Sequence, residues 1–315
     1  MDCRVQWVRP CIAAMNSFPD VTPDLPARKS PHGGDPFRWA VTGLGLVSLL
    51  ILGTLFVYLI WESLPVLFAE GWNFVSGGDW WVGETYGALP MIYGSFLVTG
   101  VALIFVLPLA LGGAVFTSEF LSPGYRLIVK AMMELFAGVP GIIYGLLGVT
   151  LLAEGVKNLF GLIDGNTLLT AGLLLGVMVL PTIMTLSEDA LHAVPGQVRD
   201  TGLSLGMTQW QTVAGAVIPQ ALPGIGGAIF LGLGRAMGET IAVMLVIGGL
   251  DKIPAPWYNL FAPGQSIPSK LGREAAEAIG SGLHWNALMG LGLILFLMVM
   301  ILTLAGNLLL KRVRS

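Results

Sequence analysis

Charge is scarce in this chain. Asp, Glu, Lys and Arg make up 11% of its 315 residues, while 55% are hydrophobic. A soluble domain carries about 25% charged residues, so the composition excludes one and leaves an all-α polytopic membrane protein. Histidine is scarcer still: His32, His192 and His284 are scattered, and no His/Cys cluster has the spacing of metal ligands. The only cysteines, Cys3 and Cys11, lie in the N-terminal tail. That excludes a disulfide framework and reads as unpaired cytosolic thiols. No Gly-Lys dipeptide occurs, so the chain cannot build a phosphate-binding P-loop. No spacing suggests a nucleophile with its base. The expectation is a non-enzyme without cofactor or catalytic residues, and nothing points to nucleic acid.

What the chain does have is long apolar runs. A bilayer core of about 30 Å needs roughly 20 apolar residues per helix. Six runs qualify: Ala40–Ile60, Leu89–Phe116, Leu127–Ala153, Leu168–Leu186, Gln220–Gly249 and Trp285–Leu310. Pro108, Pro140 and Pro181 fall inside runs, where each should kink its helix. Residues 1–38 form a polar, Pro-rich tail, expected to be disordered and cytoplasmic. Its apolar stretch Cys11–Met15 is too short for a signal peptide, and Met15 is an alternative start. Residues 39–315 are expected to form one transmembrane domain.

Basic residues orient the bundle. The tail has Arg4, Arg9, Arg28, Lys29 and Arg38, the loop after the second run Arg126 and Lys130, the loop after the fourth Arg199, and the C-terminus Lys311, Arg312 and Arg314. The opposite loops hold only Lys157, Lys252, Lys270 and Arg273. The asymmetry predicts both termini, and the loop at about 187–219, in the cytoplasm. In the first outer loop, Trp72, Trp80 and Trp81 are expected at the membrane interface. In the last, Lys270 to Glu277 reads either as a short surface helix facing a partner or as a solvated connector.

The loop at 187–219 is rich in helix signals. Ser187 suits an N-cap, with Glu188 and Asp189 beside it. Pro195 suits the start of a second short helix, with Val198, Thr201, Gly202 and Leu205 on one face. Gly206 supplies a stop, and Thr208 caps the next turn. The expected product is two short helices meeting at a glycine corner, with Met207, Trp210 and Val213 as exposed apolar surface suited to a protein partner.

Asp200-Thr-Gly-Leu-Ser-Leu-Gly206, nine further residues with Ala216 close behind, and Ile218-Pro219 resemble the EAA loop of ABC-importer permeases. Asp200, Thr201 and Gly202 stand in place of Glu-Ala-Ala. The resemblance implies a coupling helix that inserts into a groove on a separate ATPase, with Asp200, Thr201, Gly202, Gly206, Trp210 and Pro219 as contacts. Leu231-Gly-Leu-Gly-Arg-Ala-Met-Gly-Glu-Thr-Ile-Ala-Val243 resembles the fifth-helix signature of the PstC-type subunit of the bacterial phosphate importer. Ala88-Leu-Pro-Met-Ile-Tyr-Gly-Ser95, Ser118-Glu-Phe120, Glu134-Leu-Phe-Ala-Gly-Val-Pro140 and Tyr144-Gly145 agree with it. This implies six transmembrane helices in the type I ABC-importer permease (MetI-like) fold, in a bacterial inner membrane. It also implies a PstA-type permease partner, an ATP-binding subunit dimer that carries ATP and Mg, and a periplasmic phosphate-binding protein.

Arg235 and Glu239, spaced i, i+4, are expected on one face of the fifth helix. An ionised group at mid-membrane costs about 2.5–3.5 kcal/mol on the insertion scale. A guanidinium donates two-pronged hydrogen bonds to phosphate oxygens, so the pair reads as part of an anion pathway or as a structural ion pair. Gly234 and Gly238 form a G-x-x-x-G pair, expected to pack against a partner permease. Glu134 reads as interfacial or as part of a gate. Three alternatives stay open at this level: a PstA-type sister subunit, a permease for sulfate, molybdate or phosphonate, and a gradient-driven carrier or channel.

Overall fold

Six stretches are long and apolar enough to cross a bilayer, the number expected: Arg38–Glu70, Leu89–Phe120, Gly141–Phe160, Leu168–His192, Gln209–Gly238 and Leu283–Gly306. The computed structural model describes residues 36–314. Of the tail expected at 1–38, Pro36 to Arg38 belong to the first helix; the expectations for residues 1–35, with Cys3, Cys11 and the start at Met15, lie outside the described residues. The described residues fall into two units that part between Leu55 and Phe56.

Helix α1 spans Pro36–Glu70. After it come α2 (Asn73–Ser76) and a hairpin of β1 (Trp80–Trp81) and β2 (Thr85–Tyr86), with Trp80 opposite Tyr86. α3 (Leu89–Val115) ends in a π turn, Phe116–Phe120. Then come α4 (Pro123–Ala137), α5 (Gly141–Leu147), a second π turn at Gly148–Ala153 and α6 (Glu154–Phe160). α7 (Leu168–His192) leads into α8 (Gly196–Ser204), α9 (Gln209–Thr212), a third π turn at Val213–Val217 and α10 (Ile218–Gly238). α11 (Ile241–Val246), α12 (Ile267–Ala278) and α13 (Leu283–Arg314) complete the chain.

The core is organised around α7, whose apolar window is 72% buried. Where every helix is apolar, hydrophobicity does not choose neighbours; close approach of small residues does. Gly172 and Gly176 share the face of α7 that closes on α3. A Cβ at Gly172 would stand 2.5 Å from Val101 Cγ1, and one at Gly176 3.0 Å from Val106 Cγ2. Gly234 and Gly238, the pair expected to pack against a partner permease, face no close neighbour within this chain. Gly234 meets Val299 only at 4.0 Å, and nothing lies within 4 Å of Gly238. Gly232 is where α10 approaches α7, with Ile183 occupying the space that a Cβ there would need. At about 100° per residue, Gly234 lies roughly 200° around the helix from Gly232.

Two apolar runs expected to be continuous are broken. The third is two helices, because Pro140 takes extended ψ 137° and caps α5 instead of continuing α4. The fifth stops at Gly238, and Glu239 is extended (φ −70°, ψ 119°) before α11 resumes. By contrast Pro108 and Pro181 stay inside α3 and α7. At the end of the bundle remote from α8, Trp80 is buried and meets Tyr86 edge-on at 5.0 Å, so it is no interface anchor. Trp72 and Trp81 stay exposed. The stretch from Lys270 to Glu277 is helical but begins inside the fold. Lys270 is buried over the Trp80 ring at 5.1 Å and pairs with Asp251 and with Glu274 at 2.5 Å, while Arg273 and Glu277 are exposed.

Candidate functional site

The segment between α7 and α10 is an elbow built by local chemistry. α8 stops through a Schellman turn: Met207 N–H donates to Gly202 O at 3.2 Å and Gly206 N–H to Leu203 O at 3.0 Å. This needs a left-handed residue after the helix, and Gly206 has φ +80°. Two residues later Thr208 starts α9 with a capping box, in which Gln211 N–H donates to Thr208 Oγ1 and Thr208 N–H to Gln211 Oε1 at 2.8 Å. Gly202 lets the two arms meet, because a Cβ there would stand 2.5 Å from Thr212 Cγ2. The glycine corner and the Thr208 cap are thus as expected.

Three details differ. Ser187 caps nothing: α7 continues to His192 and buries both Ser187 and Glu188. The helix stops instead before Pro195, which disfavours helical geometry in the residue ahead of it. Pro195 itself is the N-cap of α8 and not its first residue. Val213 is buried and Met207 half-buried, both against expectation; the exposed apolar side chains of the elbow are Leu203, Leu205 and Trp210. Asp200 and Thr201 are exposed on α8, and Pro219 is exposed in the first turn of α10.

The elbow is fastened to the bundle by polar bonds that local sequence patterns do not reveal. Arg199 donates from Nε to Glu119 Oε2 at 2.9 Å and from Nη2 to Glu119 Oε1 at 2.7 Å. It also reaches Val194 O at 2.7 Å and Leu191 O at 3.0 Å, at the end of α7. Gln209 Nε2 donates to Glu119 O at 2.6 Å. A cleft of about 460 Å³ lies beside these bonds, lined by Glu119, His192, Arg199, Leu203 and Gln209 among others. Nearby, buried Glu188 takes Arg126 and Lys130 (Lys130 Nζ at 3.3 Å), and Lys130 also pairs with Asp189, which clamps α4 to α7. Sequence reasoning used Arg126, Lys130 and Arg199 only to orient the bundle. Their partners lie 62 and 80 residues away from Arg126 and Arg199, beyond any local pattern. The one available signal was the Ser118-Glu-Phe120 block.

Arg235 lies near the end of α10 and Glu239 just past it, and here the expectation of one shared helix face fails. α10 ends at Gly238, so Glu239 leaves the helix instead of completing the i, i+4 step. Among the described residues no ion pair joins the two. Arg235 instead donates to Thr182 Oγ1 at 2.8 Å and to Ala137 O at 2.9 Å, while Tyr144 donates to Phe136 O at 2.9 Å. The Ala137 carbonyl, free where α4 ends, is thus satisfied by Arg235, while Phe136 O also accepts Val139 N–H at 3.2 Å. Glu239 turns to the other break: its Oε1 lies 2.6 Å from an ideal Cβ on Gly141. It also borders a cavity of about 10 Å³ with Ser95, Thr99 and Ser266, room for about one water. Arg235 thus ties the break at 138–140 to α10, and Glu239, at the break at 239–240, lies against Gly141. A guanidinium has five N–H donors; two are engaged here, and Arg235 is exposed. Glu134, in the last turn of α4, is exposed too.

The family model described as "Binding-protein-dependent transport system inner membrane component" matches residues 108–315. The chain is 32% identical to the phosphate transport system permease protein PstC of Mesorhizobium japonicum, over 92% of this chain and 96% of that one. It is 34% identical to the protein of the same name from Pasteurella multocida, over 89% and 92%. Among solved structures, a chain of a bacterial alginate ABC transporter, crystallised in complex with an alginate pentasaccharide-bound periplasmic protein, superposes with a TM-score of 0.61. The match covers 87% of this chain and 95% of that one at 14% identity, and so speaks for the fold alone.

Proposed function

We propose a function for a chain that belongs to the family of binding-protein-dependent transport system inner membrane components: it is a transmembrane permease subunit of an ATP-driven importer of inorganic phosphate. The observation that carries this is the elbow. It is capped at its corner, it exposes Leu203, Leu205 and Trp210 on either side of that corner, and the chain holding it is 32–34% identical to phosphate permeases over nearly its whole length. Exposed apolar residues on a rigid polar corner suit a protein partner. Without a P-loop of its own, the chain takes its work from a partner ATP-binding dimer, which holds ATP and Mg. A PstA-type permease completes the pathway, and a periplasmic phosphate-binding protein delivers the ion. In this arrangement the elbow, both termini and α4 face the cytoplasm, as the basic residues favour.

Asp200, Thr201, Gly202, Gly206, Trp210 and Pro219 form or shape the surface offered to the ATPase. Arg235 and Glu239 serve the pathway. Helices broken at membrane depth are where transport proteins place polar ligands, because irregular backbone is tolerated only where it is buried or lines a cavity. Arg235 arrives there with its desolvation cost offset by Thr182 and the Ala137 carbonyl, and with donors left for an anion. Its hydrogen bonds belong to the present arrangement of α4, α7 and α10, so a switch of the bundle between two states changes what it offers.

The test is reconstitution of the chain in vesicles with candidate partners, scored for labelled phosphate uptake. Uptake that needs ATP, the ATPase and the binding protein is the expected result. Competition by sulfate, molybdate or phosphonate separates the oxyanions. Uptake by the chain alone would overturn the proposal in favour of a gradient-driven carrier.

A further inference from the structure

We infer that Glu119 and Arg199 form the joint through which movement of the elbow reaches the second membrane span. Both arms of the elbow fasten to this one residue, Glu119. α8 holds its carboxylate through the two-pronged Arg199 bonds at 2.9 and 2.7 Å, and α9 holds its carbonyl through Gln209 at 2.6 Å. The Glu119 side chain is only 4% exposed although charged, and paired, charge-assisted bonds of this kind fix direction as well as distance. Through its remaining bonds to Val194 O and Leu191 O, the same guanidinium also holds the end of α7. One cation therefore connects the elbow to the two helices, α3 and α7, that pack most closely in the core.

Little else fastens the elbow. The buried residues of α8 and α9 are Gly202 and Thr212, which meet each other. A cleft of about 460 Å³ lies between part of the elbow and the bundle, and the apolar contacts beside it are few, Val198 on the core and Trp210 against Phe120 at 6.3 Å, so a push on α8 travels largely along these bonds. The attachments on both sides are π turns: Phe116–Phe120 carries Glu119, and Val213–Val217 comes directly after α9. Single π turns recur at functional sites, and one residue gained or lost in such a turn rotates the rest of the helix by about 100°. Arg199 and Glu119 are thus positioning residues: they touch no substrate, and they set how far the core helices move with the elbow.

This rests on the reading of the chain as an ATP-driven phosphate permease. The experiment uses the full complex in proteoliposomes, with Arg199→Met, Glu119→Gln and the milder Arg199→Lys, read as phosphate moved per ATP hydrolysed. The two neutral variants are expected to co-purify with the ATPase at wild-type stoichiometry and to hydrolyse ATP. They should move about tenfold less phosphate per ATP, a loss typical of a broken coupling between sites, and Arg199→Lys should recover part of it. Wild-type yield per ATP in both neutral variants would overturn the inference. Failure of both to assemble would overturn it as well, by assigning the pair to the elbow's fold. A wild-type complex that moves phosphate without ATP would sink the functional reading instead, so the two failures are distinguishable.

Discussion

The elbow at residues 196–212 and the helix breaks around Arg235 both interrupt helices, yet they are built in opposite ways. In the elbow each stray backbone group finds its partner within a few residues: Gly206 and Met207 close α8, and Thr208 with Gln211 opens α9. At the breaks the partners come from far along the chain. Arg235 donates to a residue 98 positions away and to another 53 away. A unit satisfied by its own neighbours keeps its shape when it moves. A site satisfied by distant helices exists only while those helices keep their places. The first property suits a lever and the second a gate.

Four substitutions sharpen or break this contrast, from the largest effect to the smallest. Arg235→Gln removes the guanidinium that spans two distant elements. Charge-assisted bonds are worth about 1.5–3 kcal/mol, so phosphate uptake in a normally assembled complex should fall about 10- to 100-fold. Undiminished uptake would remove Arg235 from the pathway. Gly202→Val places methyl groups against Thr212, where a Cβ alone would already come within 2.5 Å. Overpacking costs about 1–3 kcal/mol, and the expected readout is about tenfold less ATPase retained on the purified complex. Full retention would show that the arms need not touch.

Gly206→Ala forces a side chain into φ +80° at a cost of about 1–2 kcal/mol. Hydrogen exchange should then quicken about fivefold or more across residues 196–212 while residues 168–192 stay protected. Spread of the effect into α7 would end the view of the elbow as a separate rigid piece. Thr208→Ala loses one cap, worth about 1 kcal/mol. Its exchange effect should stay within Gln209–Thr212 and leave uptake within about twofold. A larger effect than that of Gly206→Ala would give the capping box, and not the Schellman turn, control of the corner.

The same contrast explains how much is legible in the sequence. Gly206 and Thr208 can be assigned because a left-handed stop and a hydroxyl cap act over three or four residues. Six membrane spans can be counted because length and apolarity are properties of a segment. Arg235 and Glu239 stand out as unusual, since charge in an apolar run is visible in the letters. Their pairing is not legible, because i, i+4 spacing means a shared face only if the helix continues, and it stops at Gly238. Ser187 misleads for the reverse reason: a good cap residue is ignored where Glu188 finds Arg126 and Lys130 and helix α7 runs on.

From its letters alone this chain was committed to six apolar helices, a basic-residue asymmetry and a capped glycine corner. Each stems from free energies that a segment settles for itself against lipid, water or its own backbone. Which glycines allow close packing, where Arg199 and Glu188 find their partners, and where Arg235 and Glu239 meet the helix breaks were decided only in the folded bundle. There hydrophobicity no longer distinguishes one helix from another, and contact between residues far apart in sequence makes the choice.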